Sequence, residues 1–236
     1  MESMLQGDDW LTAQLGRPSY RLALGDPIKA SEAIIPPEHD AFAWARVEID
    51  DIGAVQTLER AGYGVVDCGL TYEVDADALV VDASATPAQQ ATEHDRGAMV
   101  ALAGSAFRVS RFHLDPRFDV ATAHAIKSAW VTSAFDGARG DGIVVVPDVG
   151  FLIWLAAPDG ACVIDLVAVA EHARGRGVVG ALTHAAWRAA GSPARLRVGT
   201  QAANAAASRA YQRLGFMPVA ARYVLHYHGA RDDVRS

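Results

Sequence analysis

Two cysteines, Cys68 and Cys162, are all that the chain has. Both sit in apolar stretches that read as strand interior (Val-Val-Asp-Cys-Gly-Leu and Ala-Cys-Val-Ile). That excludes a disulfide framework, and no spacing suits a cysteine-based metal centre, so no metal is expected. Apolar runs are short: none approaches the roughly 18 residues of a membrane-spanning helix. The first residues carry Glu2, Asp8 and Asp9 around no apolar core, so they do not read as a signal peptide. A reducing, cytoplasmic location is expected. Positive charge is also scarce, with 21 Lys+Arg against 28 Asp+Glu and a net charge of −7. An acidic chain is a poor general binder of nucleic acid or of anionic membranes. Any anionic ligand must be held by a local arrangement of arginines and backbone amides.

What is present is an ordinary globular composition: 236 residues, 51% hydrophobic and 21% charged. The length suits one large domain or two small ones. Tyr20–Leu24 reads as a strand, and Phe42–Ile49 alternates as a strand does. Asp50-Asp51 caps a helix through about Ala61, with Val55, Leu58 and Ile52 on one stripe and Gly62 as its stop. Val65–Val74 is a further strand, with Gly69 suggesting a bulge. A polar, small-residue stretch follows. The domain boundary is placed there, giving an N-terminal subdomain over 1–80, a linker over 81–94 and a second domain over 95–236. In the second domain Arg96–Ser105 is a helix, and Phe107–Pro116 is a loop rich in Arg, Ser, His and aromatics. Val120–Phe135 is an amphipathic helix carrying Ala123, Ile126, Trp130 and Ala134 on one face. Strands at Gly142–Val146, Phe151–Leu155 and Cys162–Val169 precede a helix from Val178. Then come a strand at Leu196–Thr200, a helix capped by Asn204 and a last strand at Val219–Tyr227. Helices interleaved with strands make an α/β fold.

The informative stretch runs from Asp165 to Leu182: an apolar strand, the turn Arg174-Gly175-Arg176-Gly177, then a helix opening with Val178 and Val179. Such a turn presents backbone N–H groups at a helix N-terminus, where anions are favoured. Downstream stands Asn204-x-x-Ala-x-x-x-Tyr211-x-x-x-Gly215-Phe216. The two motifs, in this order and separated by a helix and a strand, resemble those of the GNAT family of acetyl-CoA-dependent N-acyltransferases. The likeness covers roughly residues 95–228. One position departs: the family's turn usually has Gly or Ala where this chain has Val179, and Gly180 comes one place late.

The resemblance implies a mixed central sheet flanked by helices and acetyl-CoA as the cofactor. It also implies that the strand carrying Asp165 splays from its neighbour. The pantetheine arm would lie along Leu166, Val167 and Val169, and the amides of Arg174, Gly175, Arg176, Gly177, Val178 and Val179 would receive the pyrophosphate. Asn204 would bond the arm, and Tyr211 would protonate the departing thiolate. A free phenol titrates at about 10 and so carries its proton at neutral pH. Asn204 also reads as a plain helix cap, and Tyr211 as a core aromatic. For the base, strand alternation puts Asp165 on one face with Val163, Val167 and Val169, an apolar setting of the kind that makes a carboxylate basic. The alternative for Asp165 is an acid paired with an arginine; Glu73 and His113 are the other base candidates.

The Phe107–Pro116 loop and the extra N-terminal half resemble the branch of the family that includes dTDP-fucosamine acetyltransferase. That implies an amino-sugar acceptor, with Arg108 and Arg111 facing a diphosphate and His113 a sugar hydroxyl. The alternative is that these arginines pair with Asp115 and Asp119. The expected partners are a small-molecule amine such as a sugar nucleotide, with neither nucleic acid nor membrane; a homodimer is one assembly open to it. Another small amine, a protein N-terminus or a non-enzymatic acyl-CoA-binding role stand as alternatives.

The first half adds a signal of its own. At an offset of 153 positions, Ala54, Arg60, Gly62 and Val66 match Ala207, Arg213, Gly215 and Val219. Residues 42–74 are therefore expected to form a strand–helix–strand remnant of a second GNAT half. Leu58 stands at the tyrosine position and Asp51 at the asparagine position, so this copy should not bind CoA. A strand such as Leu70–Val74 is expected to complete the sheet of the other half.

Overall fold

The computed structural model describes residues 5–24, 34–80 and 87–230. β1 (Leu5–Gly7), α1 (Asp9–Leu15) and β2 (Ser19–Leu22) come first. β3 (Phe42–Glu48), α2 (Ile52–Arg60), β4 (Gly64–Asp75) and β5 (Gln89–Gln90) follow, then α3 (Arg96–Ala106), the one-turn α4 (Arg111–Leu114) and α5 (Val120–Phe135). The remainder is β6 (Gly142–Val146), β7 (Gly150–Ala156), β8 (Cys162–Val169), α6 (Val178–Ala189), β9 (Arg195–Gln201), α7 (Ala205–Arg213) and β10 (Met217–His228). The α/β architecture expected from the sequence is present, a sheet flanked by helices.

Two compact units divide the chain: Met1–Gly69 with Ala221–Ser236, and Leu70–Ala220. The division falls inside β4 and β10, not in the polar stretch 81–94. Of that stretch, 81–86 lie outside the described residues, and Gln89–Gln90 form an edge strand paired with Val144–Val145. Composition locates a polar segment; it does not reveal that a 12-residue strand begins in one unit and ends in the other.

In the larger unit the strand order is β4-β9-β8-β7-β6-β5. β8 and β9 are parallel, and β5 through β8 are antiparallel neighbours. Strand alternation sorts side chains between two faces. Ile143, Val145, Phe151 and Ile153 pack with Met99 and Ala103 of α3 and Val131 and Ala134 of α5. Val144, Val146 and Leu152 pack on the other face with Val178, Leu182 and Ala186 of α6 and Tyr211 of α7.

In the smaller unit the order is β1-β2-β3-β10. β2 runs parallel to β3 from Ser19↔Phe42 to Leu22↔Ala45, and β10 pairs antiparallel with β3 from Arg222↔Glu48 to His228↔Phe42. Ala43, Ala45 and Val47 of β3 bury one face against Ala54, Val55 and Leu58 of α2. Ile52, expected on that stripe, is 48% exposed, and Ala54 takes its place.

The expected repeat is there, element for element. β3, α2 and β4 have the lengths of β9, α7 and β10, at a constant offset of 153. Asp51 caps α2 at φ −88°, ψ 67° and accepts from Ala54 N; Asn204 caps α7 at φ −88°, ψ 64° and accepts from Ala207 N. Gly62 and Gly215 follow the helices at φ +93° and +92°, a region that L side chains rarely adopt. Each unit's sheet also contains a strand end from the other repeat: Leu70–Asp75 lies beside β9, and 221–228 beside β3. The expectation that Leu70–Val74 completes the other half's sheet is met in this form.

Candidate active site

β7 and β8 pair regularly except at one point. Ile153 pairs with Leu166 and Trp154 with Ile164, so Asp165 is an extra residue in β8. Such a bulge bends a strand and resets its alternation. Leu166 and Ala168 consequently join the α3/α5 face, while Val167 and Val169 join the α6 face. The expectation that Asp165 shares a face with Val167 and Val169 fails for this reason. At the same place the β8–β9 ladder ends. Its last pair is Ile164↔Val198, and beyond it the β9-facing edge of Asp165–Val169 is unpaired with β9. This is the splay expected between these strands.

The open edge leads directly to the Arg174–Val179 turn. Gly175 and Gly177 sit at φ +77° and +75°, and Gly177 caps α6 without a side-chain bond. The N–H groups of Gly175, Arg176, Gly177, Val178 and Val179 donate to nothing among the described residues. Five unengaged donors at a helix N-terminus are what a pyrophosphate requires. Val179 packs its side chain on the α6-side core, leaving its amide free. Gly180, one place late for the family's pattern, has a separate reason: a Cβ there would lie 3.1 Å from Leu214 Cδ2. The Arg174 guanidinium turns back to the Val169 and Ala106 carbonyls, both at 3.3 Å, and so anchors the turn; Arg176 is exposed.

Asn204 caps α7 through Oδ1 to Ala207 N (3.2 Å), and its amide NH₂ donates to no described residue. Tyr211 is 4% exposed, between the rings of Tyr72 and Phe216. Its hydroxyl makes no hydrogen bond among the described residues, and burial pushes its pKa well above the ordinary phenol value. It therefore holds its proton throughout the physiological range.

The base candidates fare differently. Asp165 Oδ2 accepts from Trp130 Nε1 (2.8 Å) and Arg139 Nε (2.9 Å), and Oδ1 accepts from Arg139 Nη2 (3.2 Å). The Arg139 guanidinium lies 3.6 Å from the Trp130 ring centroid. This is the arginine-paired alternative, and these charge-assisted bonds hold Trp130 and Arg139 in place. Glu73 pairs with Arg197 and Arg195. His113 shares a 2.7 Å bond between Nδ1 and Ser110 Oγ. Burial first, then the charges of His124, Lys127 and Arg108, press its pKa down to about 4. Arg108 bonds the Ser105 and Phe107 carbonyls, and the Arg111 guanidinium lies 4.5 Å over the Phe112 ring. Of the acids set against these arginines, Asp115 bonds Arg117 and Asp119 caps α5.

Arg139, His124 and Lys127 escaped the sequence reading. Lys127 had a readable signal: it interrupts the apolar stripe Ala123, Ile126, Val131, Ala134 of α5 and is buried with it.

Residues 137–218 match the family described as an acetyltransferase (GNAT) domain. No curated protein matches the chain. Among solved structures, a GCN5-related N-acetyltransferase from Kribbella flavida is similar with TM-score 0.62 and 18% identity, covering 98% of this chain and 89% of that one. One from Sphaerobacter thermophilus gives 0.59 and 15%, covering 96% and 76%. A tandem GNAT protein from the clavulanic acid biosynthesis pathway gives 0.56 and 15%, covering 92% and 77%. At these identities the structures establish the fold, and the family match is confined to residues 137–218.

Proposed function

We propose that this N-acetyltransferase moves an acetyl group from acetyl-CoA to the primary amine of an amino sugar such as a nucleotide-linked 4-amino-deoxy sugar, in the cytosol. The observation that carries acetyl transfer is the end of the β8–β9 ladder at Ile164↔Val198, opening onto five unengaged amides at the start of α6. The pantetheine arm adds to the free edge of Leu166–Val169 as a short extra strand, and the pyrophosphate takes the amides of Gly175–Val179. The amide NH₂ of Asn204 donates to the arm. The amine then attacks the thioester carbonyl carbon. The C–N bond forms, the C–S bond breaks, and the thiolate takes the proton of the Tyr211 hydroxyl, which has no other partner. The proton lost by the amine leaves through water, because Asp165 and Glu73 are held by arginines. Asp165 acts by fixing Trp130 and Arg139 beside the opening. The sugar assignment is supported by the basic, aromatic segment Phe107–Pro116 with Arg108, Arg111 and His113.

The test is thiol release from acetyl-CoA across simple amines, amino acids and amino-sugar nucleotides. Turnover is expected with an amino-sugar nucleotide at the lowest KM. Tyr211→Phe should lower kcat by about 10²-fold or more while acetyl-CoA binding holds. Turnover equal to wild type would remove Tyr211 from the chemistry, and a preference for plain amino acids would remove the sugar.

A further inference from the structure

The chain has two lysines, Lys29 and Lys127, and the second is buried on α5 at 7% exposure. Its ammonium meets no carboxylate and no hydrogen-bond acceptor among the described residues. It lies over two aromatic rings, 4.5 Å from the Trp130 centroid and 5.0 Å from that of Phe107. One turn before it, His124 faces His113 of α4, ring centroids 5.2 Å apart. The Nε2 atoms of both histidines are buried and have no partner. Ser110 Oγ accepts from the His113 backbone N–H and shares a bond with Nδ1; when the hydroxyl donates to Nδ1, the ring proton stands on Nε2.

Among the described residues, the charges that lower the Lys127 and His113 pKa values come from Arg108, Arg111, Arg139 and the facing side chains of the cluster, and Asp165 opposes them at Lys127. Asp165 is already occupied by Arg139 and Trp130. Burial first, and then Arg111 and Arg139, press the Lys127 pKa down to about 8, with Asp165 opposing them. Buried donors without acceptors beside an uncompensated ammonium are costly in an apolar interior, unless a ligand supplies the acceptors. The cluster is one indole away from the opened strand: Trp130 carries Lys127 on its ring and bonds Asp165 through Nε1.

We infer that Lys127, His113 and His124 form an oxyanion subsite, in which a carboxylate or phosphate of the amine acceptor takes charge from Lys127 and N–H donors from the two Nε2 positions. That the oxyanion belongs to the acceptor rests on the acetyl-transfer reading; the oxyanion site itself does not.

Two measurements test it. First, the protein is saturated with CoA, so that the α6 amides are filled, and inorganic phosphate and glutarate are titrated by calorimetry. Binding is expected, weakening as pH rises through about 8 while Lys127 loses its charge, and the His113 ring should titrate higher in the bound state by NMR. Lys127→Met should raise the melting temperature, by removing a buried charge, and weaken oxyanion binding at least tenfold; His124→Phe should reproduce the weakening. Second, matched amines that are neutral, carboxylated or phosphorylated are compared as acceptors. The ratio of kcat/KM for the charged amine over the neutral one should fall at least tenfold in Lys127→Met, and the better charged amine identifies the oxyanion. Absence of oxyanion binding, or binding equal in Lys127→Met and wild type, overturns the proposal. If oxyanions bind through Lys127 but no amine accepts acetyl, the subsite stands and the acetyl-transfer reading falls.

Discussion

Residues 42–75 and 195–228 form the same strand, helix and strand with matching caps, and the parallel ladder beside each ends at the equivalent pair, Leu22↔Ala45 and Ile164↔Val198; among the described residues the amide-rich turn stands beside the second copy. Leu58 fills the core position that Tyr211 fills, fully buried against β3. Asp51 makes the cap bond that Asn204 makes, but a carboxylate cap has no N–H to offer a ligand. The copies thus separate what this segment needs in order to fold from what it needs in order to act. An oxygen at the cap, an apolar body one turn from the helix end and a glycine at positive φ belong to the fold. The hydroxyl, the amide NH₂ and the preceding turn belong to the chemistry.

That separation can be broken in graded steps. The largest effect should come from removing residues 1–86. The remaining chain loses Leu70–Asp75 from beside β9, and we expect no cooperative thermal transition; a sharp melt with native near-ultraviolet dichroism would show that the strand is dispensable. Next, Leu58→Ala should cost about 2–5 kcal/mol in denaturant unfolding as a buried leucine lost with kcat unchanged, whereas Tyr211→Phe should lose turnover with little change in stability. A third comparison concerns the two glycines. A Cβ at Gly62 would meet the Tyr227 ring at 3.4 Å, whereas at Gly215 it would overlap the Ala78 carbonyl oxygen. Gly215→Ala should therefore destabilise by more than Gly62→Ala, which carries mainly the backbone cost of about 1 kcal/mol or somewhat more. The smallest effect is at the caps. Asp51→Ala and Asn204→Ala should each cost about 1 kcal/mol, but only Asn204→Ala should raise KM for acetyl-CoA.

Local features were legible in the sequence. Asn204, Tyr211, the Arg174–Val179 turn and the elements around them are specified by neighbours a few residues away, and a spacing reveals them. The repeat was legible because its glycine and its caps recur at one offset. What was hidden depends on distant partners. The bulge at Asp165 adds one residue to β8 relative to β7, and it reverses which side chains share a face. The pairing of Asp165 with Arg139 and Trp130 joins a strand to a helix and the turn after it, with nothing in the local pattern to announce it. The charge on α5 was visible at Lys127, but its burial depends on Phe107 and Trp130 closing over it.

The shared strands also set an order of events. β3 acquires its β10 neighbour only when Arg222–His228 arrives, and β4 finds β9 only after Arg195–Gln201 has been made. Neither sheet can close early. During synthesis the edges of β3 and β4 stay unpaired while most of the chain emerges, and distant pairings of this kind slow folding and invite wrong strand partners. The molecule should accordingly refold slowly and lose yield to aggregation as concentration rises, a kinetic burden imposed by the exchange that completes both sheets.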